Sequence, residues 1–256
     1  MDDSFLLDKK MERLRLGGMK QTCISRLKTA QSEHWSYSAF LDTLLTDEIE
    51  RRNHAQLTRR LAKSQLNQNK TLETFDFSFN PKVQAAAIRE LACCKFVEDG
   101  QNVFIIGPSG VGKSHLAEAL GHEACRRGID VLCYRTHKLF EWINSGRGDG
   151  SYKRKLDQMI KIPLLLLDDF GLQSMSEIQQ EDLYEVICGR YEKRSLIITS
   201  NRDLSEWASV FKNPLIASAA MDRLVHKATE ITIDGGSYRL DQFKKRTKSK
   251  NNPREG

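Results

Sequence analysis

Gly107-Pro108-Ser109-Gly110-Val111-Gly112-Lys113-Ser114 has the spacing G-x-x-x-x-G-K-S, which builds a backbone cradle for the phosphates of a nucleoside triphosphate. Glycines let successive N–H groups curl around phosphate oxygens with no Cβ in the way. A helix starting at the same point adds partial positive charge. Lys113 is then the residue to reach the β- and γ-phosphates, and the Ser114 hydroxyl is a Mg²⁺ ligand. The motif requires a strand before it and a helix after it. Val103-Phe104-Ile105-Ile106 reads as the strand and His115-Leu116-Ala117-Glu118-Ala119-Leu120 as the helix. An accidental glycine turn ahead of a helix is the bland alternative, and the fixed positions together with both flanks disfavour it. Gly107 to Ser114, with His115 behind them, form the expected nucleotide-binding set.

Ile162-Pro163-Leu164-Leu165-Leu166-Leu167 is a continuous apolar run, as expected of a central parallel strand covered on both faces. It ends in Asp168-Asp169-Phe170-Gly171, at the strand end where open α/β sheets bind ligands. Asp168 is expected to hold Mg²⁺ through water and Asp169 to orient an attacking water. Asp-Asp could instead cap the next helix; the phosphate loop upstream favours the catalytic reading.

The elements that must position these groups follow from periodicity. Asp130 to Tyr134, Ser195 to Thr199 and Thr229 to Ile233 read as further strands. Helices are expected over Pro81–Val97, from the phosphate loop to Arg126, over Thr136–Ile143 and over Gln180–Arg190. Gly146-Arg147-Gly148-Asp149-Gly150 reads as a flexible loop, a turn in preference to a DNA-contacting hairpin. Alternation of this kind implies an α/β fold, a parallel sheet flanked by helices. Residues 1–70 differ: Phe5, Leu6, Leu7, Met11, Leu14, Leu16 and Met19 recur at helical spacing up to Gly17-Gly18. Phe40, Leu41, Leu44, Leu45 and Ile49 could share a second helical face. This segment is expected to be a small all-α domain, and residues 71–256 the nucleotide-binding domain. The basic bias around Arg51-Arg52 and Arg59-Arg60 fits a solvated helix face, with phosphate-backbone contact as the functional alternative. Phe75, Phe77 and Phe79 either approach the nucleotide base or seal the edge of the core. From Arg239, with Lys244, Lys245, Arg246, Lys248, Lys250 and Arg254, the chain reads as a disordered basic tail.

Over 256 residues the 39% hydrophobic and 29% charged content describe a globular chain, neither disordered nor membrane-embedded. No apolar stretch approaches the about 20 residues that span a bilayer. The acidic start Met1-Asp2-Asp3-Ser4 lacks an apolar signal core, and the six cysteines show no paired zinc-ligand spacing. Reduced thiols and a cytoplasmic location are expected. A net charge of +6 permits nucleic-acid contact without requiring it.

Several further pieces accompany these motifs: Leu183-Tyr184-Glu185, Arg190-Tyr191-Glu192, Ile197-Ile198-Thr199-Ser200-Asn201, Ser205-Glu206-Trp207, Met221-Asp222-Arg223-Leu224 and Gly236-Ser237-Tyr238-Arg239-Leu240. Together they make the chain resemble, over nearly its whole length, the IstB-like ATPases that help insertion sequences transpose. These are relatives of the helicase loader DnaC and the initiator DnaA in the AAA+ superfamily of P-loop NTPases. The resemblance implies that Asn201 is the sensor touching the γ-phosphate and the attacking water. It implies that Arg223 is an arginine finger for a neighbouring subunit, where the residues alone suggest a helix-surface salt bridge. Arg190, Arg194 and Arg202 are the other finger candidates. It further implies ATP and Mg²⁺ as cofactors. The partners it implies are double-stranded DNA, the element's transposase and further copies of the chain, with no membrane. Two departures stand out: Asp169 occupies a place usually held by Glu, and little sequence follows the last strand. Slow hydrolysis and no full C-terminal lid are therefore expected, with Arg239 a weak candidate for the second sensor. The runner-up function is a DnaC-like helicase loader. From other classes, a small-molecule kinase is disfavoured by the Asp-Asp and Thr-Ser-Asn pieces. A non-catalytic scaffold is disfavoured by Lys113, Asp168 and Asn201.

Overall fold

A computed structural model describes residues 3–80 and 83–250. Three helices come first, α1 (Asp3–Arg13), α2 (Gly17–Ser32) and α3 (Tyr37–Ser64). The chain divides into two compact units, Met1–Arg60 and Leu61–Gly256, so the boundary falls inside α3, ahead of the division expected after residue 70, and the polar run Asn67–Lys70 lies past it. The reason is local: the Asn67 N–H donates to Glu118 at 2.6 Å and Lys70 pairs with the same carboxylate, so this run belongs to the second unit. The first unit has its own core of Met11, Met19, Cys23 and Leu44. Its helical break falls at Leu14–Leu16, where Arg15 has φ 57°, and Gly17 and Gly18 lie inside α2.

The second unit opens with α4 (Ala85–Leu91) and α5 (Lys95–Glu98). The single helix expected over Pro81–Val97 is therefore two, because Cys94 takes a left-handed conformation at φ 61° between them; its first residues, Pro81 and Lys82, lie outside the described set. Then follow β1 (Val103–Ile106), α6 (Lys113–Arg126), β2 (Val131–Arg135), α7 (Thr136–Asp149), α8 (Tyr152–Lys161), β3 (Leu164–Phe170) and α9 (Glu177–Arg190). After these come β4 (Ser195–Ser200), a 3-10 helix (Leu204–Val210), α10 (Pro214–Val225), β5 (Thr229–Thr232) and α11 (Tyr238–Lys250).

The strands pair in parallel in the order β2-β3-β4-β1-β5. β4 thus inserts between β1, which feeds the phosphate loop, and β3, which ends in the paired aspartates. Residues of β1 and β4 are buried throughout, as central parallel strands covered on both faces are; β1 is apolar along its whole length, and β4 carries hydroxyl residues at its ends. The Ser205-Glu206-Trp207 piece is structural: Trp207 is fully buried, with ring centroids 4.9 Å from Phe104 and 4.7 Å from Phe170.

One expected loop and one expected disordered tail are helical. The glycine-rich run 146–150 continues α7 and stops only at Gly150, whose φ of 74° closes the helix in the usual left-handed manner. Gly146 is needed for packing, since a Cβ there would sit 2.8 Å from the Tyr152 backbone of α8. Arg147 then makes a two-armed pair with buried Asp182, at 2.9 and 2.7 Å. The tail expected to be disordered from Arg239 is α11, a helix through Lys250. Its first turn is supported by Ser237 Oγ accepting the Leu240 N–H, and its face by an Asp241–Lys245 pair. Arg254 lies outside the described residues.

Candidate nucleotide site

A cavity of about 350 Å³ opens at the carboxyl ends of β1, β3 and β4. The sheet order explains its contents. With β4 between β1 and β3, Asn201 just past β4 falls between the phosphate loop and Asp168. Ser109 to His115, Asp168, Asp169 and Asn201 all line this one cavity. Gly107 and Pro108 complete the loop beneath it, and the Pro108 carbonyl accepts from Lys113 Nζ at 2.8 Å.

Lys113 is buried and also donates to Asn201 Oδ1 at 2.5 Å. Burial lowers its pKa; Asp169 and Asp168 work in the opposite direction. Burial likewise raises the pKa of Asp169, and the neighbouring Asp168 adds to the rise, against Arg135, Lys113 and Arg239. An ammonium and two carboxyl groups thus face one another in a partly dry space, where charge-assisted contacts are strong. Gly110 lets the chain close over the loop: a Cβ there would lie 2.2 Å from Ser237 Oγ. The Tyr238 N–H donates to the Gly110 carbonyl at 3.0 Å, which carries Tyr238 and Arg239 into the cavity wall. Arg239 Nη2 is 3.4 Å from Ser109 Oγ.

The opposite wall comes from residues 70–80. Phe75 and Phe79 line the cavity, Phe79 edge-on to Tyr238 with centroids 4.9 Å apart. His115 Nε2 meets the Thr71 carbonyl at 2.9 Å and its ring stands edge-on to Phe75. His115 therefore ties this wall to the phosphate-loop helix. The arrangement offers an aromatic slot at one end and a cationic, carboxylate-bearing pocket at the other, a shape suited to a nucleotide.

Arg223 does not line the cavity. On α10 its Nη1 donates to the Ala219 carbonyl, and its guanidinium lies 5.6 Å from the Tyr184 ring centroid. Arg190 is sealed in the interior against backbone carbonyls of Met159, Ile162, Pro163 and Ser195. It cannot reach a neighbouring subunit, which removes it as a finger candidate. Arg202 Nε is bound to the Gly171 carbonyl. Sequence reasoning passed over Arg135, Thr199 and Asn80. Arg135 and Asp168 stand side by side in the sheet register; the position just inside a strand's carboxyl end was the available signal. Thr199 lay within the quoted Thr-Ser-Asn piece, and Asn80 had no signal.

Fold and site define a P-loop nucleotide-binding protein of the AAA+ type. Residues 9–248 match the family model described as IstB-like ATP binding protein, and the chain belongs to that family. It is 38% identical over 237 residues to an insertion-sequence ATP-binding protein of Mycobacterium tuberculosis, covering 92% of this chain and 94% of that one. It is 35% identical over 239 residues to the insertion sequence IS21 ATP-binding protein of Pseudomonas aeruginosa, covering 93% and 90%. Among solved structures it resembles the DnaC helicase loader, with TM-score 0.57 and 25% identity over 65% of this chain and 97% of that one. It also resembles AMPPCP-bound DnaA from Aquifex aeolicus, with TM-score 0.55 and 24% identity over 75% and 59%. Among the described residues no helix is long and apolar enough to cross a membrane.

Proposed function

We propose that this protein is an ATP-hydrolysing transposition helper. It assembles as a homo-oligomer on duplex DNA and recruits or stimulates the transposase of its own insertion sequence, in the cytoplasm. The observation that carries the reading is the gathering of Lys113, Asp168, Asp169 and Asn201 around one cavity behind the phosphate loop, in a chain whose 35–38% identical relatives are insertion-sequence ATP-binding proteins.

Gly107 to Ser114 cradle the phosphates, and Lys113 exchanges Pro108 and Asn201 for the β- and γ-phosphates. His115 secures the aromatic wall. Ser114 and Asp168 are hard oxygen donors of the kind Mg²⁺ uses, few in number because substrate phosphates and waters complete its shell. Bound there, Mg²⁺ neutralises phosphate charge. Asp169 orients the water that attacks the γ-phosphorus, and Asn201 holds that water and the γ-phosphate oxygen. ATP and water become ADP and phosphate. Arg223 completes the site of the adjacent copy, consistent with its place outside its own cavity, so bound ATP bridges subunits and hydrolysis loosens them. A helicase-loader role is the second reading, favoured by the likeness to DnaC; the higher identity to insertion-sequence proteins weighs against it.

The test mixes Arg223→Ala with Lys113→Ala and follows assembly on duplex DNA and ATP turnover. Each alone should be inactive, and the mixture should regain hydrolysis at interfaces pairing an intact loop with an intact arginine. DNA binding should weaken steeply with salt and vary little with sequence. Confirmed mixed assembly without rescue rejects Arg223 as the finger. A flat salt dependence rejects phosphate-backbone contact as the basis of DNA binding.

A further inference from the structure

Thr199 is buried in β4, two residues before Asn201. Its Oγ1 donates to Asp168 Oδ1 at 2.5 Å and accepts the Asp169 backbone N–H at 3.1 Å. One hydroxyl therefore holds two successive acidic residues by different handles, the carboxylate of the first and the backbone of the second. The Asp168 backbone is held from the other side, where Thr136 Oγ1 donates to its carbonyl at 2.9 Å.

These contacts fall where the β3–β4 ladder is irregular. Pairing runs regularly from Leu164 to Leu167, then shifts before Phe170 meets Ser200. Inside the shift Asp169 adopts φ 58°, a left-handed conformation that short polar residues such as Asp tolerate better than others. A bulge of this sort re-aims a side chain next to a functional site. Its backbone N–H has left the regular ladder and must find another acceptor. Thr199 supplies it.

We propose that Thr199 is a positioning residue for ATP hydrolysis. Its hydroxyl orients the Asp168 carboxylate toward Mg²⁺ and pins the left-handed turn that aims Asp169 at the cavity. The proposal rests on the nucleotide-site reading above and deepens it: a chain carrying Asp in place of Glu brings the carboxylate into place through a bulge tethered from the next strand. A valine at this position keeps the shape of the side chain and removes both contacts. A serine keeps the hydroxyl.

The experiment compares full-length Thr199→Val and Thr199→Ser with wild type by ATP turnover, by Mn²⁺ binding to the nucleotide-loaded protein followed by electron paramagnetic resonance, and by affinity for a fluorescent ATP analogue in EDTA. For Thr199→Val we expect kcat to fall at least about tenfold and Mn²⁺ affinity to weaken several-fold, since a hydrogen bond to a charged group is lost. Metal-free nucleotide affinity should stay within about twofold, because the phosphate loop is untouched. Thr199→Ser should recover kcat and Mn²⁺ affinity together. Wild-type kcat and Mn²⁺ binding in Thr199→Val overturns the proposal, as does a Thr199→Ser variant as impaired as Thr199→Val. Should Thr199→Val fail to fold, Thr199→Ala takes its place against Thr199→Ser with the same criteria. Lys113→Ala in parallel separates the two failures. Normal nucleotide affinity in Lys113→Ala sinks the nucleotide-site reading, whereas lost affinity there beside a wild-type Thr199→Val sinks only the role of Thr199.

Discussion

Lys113 and Arg190 are both buried cations, 6% and 1% exposed, and they serve opposite ends. Arg190 Nη1 and Nη2 reach carbonyls at the carboxyl end of α8 and around the starts of β3 and β4, among them Met159 at 2.5 Å, Ile162 at 2.8 Å and Ser195 at 2.5 Å. Those acceptors are main chain and cannot leave. The end of a helix also carries negative partial charge, which suits a guanidinium. Lys113 instead borrows one loop carbonyl and one side-chain amide, beside an open cavity and two carboxyl groups. A buried charge is a cue to function where its partners are exchangeable and a ligand can enter; elsewhere it staples the fold.

The sharpest way to break this contrast is Arg190→Met. Removing the guanidinium strands buried carbonyls such as those of Met159 and Ser195, and a buried acceptor left without a partner costs about 1–3 kcal/mol. Denaturant unfolding should show that loss, with ATP affinity of the remaining folded protein unchanged. A stable Arg190→Met protein that cannot hydrolyse ATP would make Arg190 a functional residue after all.

Lys113→Ala should behave the other way round. Calorimetric titration should give ATP affinity at least about tenfold lower, since charge-assisted contacts to phosphate are lost. Thermal stability without nucleotide should hold, because the Pro108 carbonyl and the Asn201 amide that Lys113 leaves border an open cavity where water can replace it. A large fall in melting temperature would place Lys113 with Arg190 as a staple.

Asp169→Glu sharpens the comparison within the cavity. Restoring the commoner, longer acid should slow turnover, by about threefold or more, because a carboxylate aimed through a left-handed bulge is misplaced when lengthened. Steady-state kinetics checks this, and faster turnover would show that reach, not the bulge, limits hydrolysis.

The smallest effect concerns a buried anion in the first unit. Glu48 accepts from the Gly18 N–H at 2.6 Å and pairs with Arg51 and Arg52. The Arg51 hydrogen bond leads in holding its pKa down, from 4.5 to about 2, with Arg52 and the Gly18 N–H helping and burial opposing. A carboxylate with a depressed folded pKa stabilises above its unfolded value, and that contribution is lost as pH falls from 4.5 toward 2. Glu48→Gln should therefore melt below wild type at pH 7, with the difference closing near the acid end. A difference independent of pH would mean that Glu48 acts by shape alone.

Much of the site was legible in the chain itself. The phosphate loop, the apolar run into Asp168-Asp169 and the Thr-Ser-Asn piece are local patterns, because backbone cradles and strand ends are built from neighbouring residues. The parallel α/β class follows from the same periodicities. Contacts between distant segments decided the rest. Only the strand order brings Asn201 to Lys113. Packing of α7 on α8 carries the helix through Gly146, which local propensity reads as a loop. Docking of Ser237 and Tyr238 on Gly110 makes a helix of an apparently disordered tail and brings Arg239 to the loop. Arg190 and Lys113 look alike as letters; which one faces a cavity depends on partners far away in sequence, since a charge's surroundings are a property of the assembled interior.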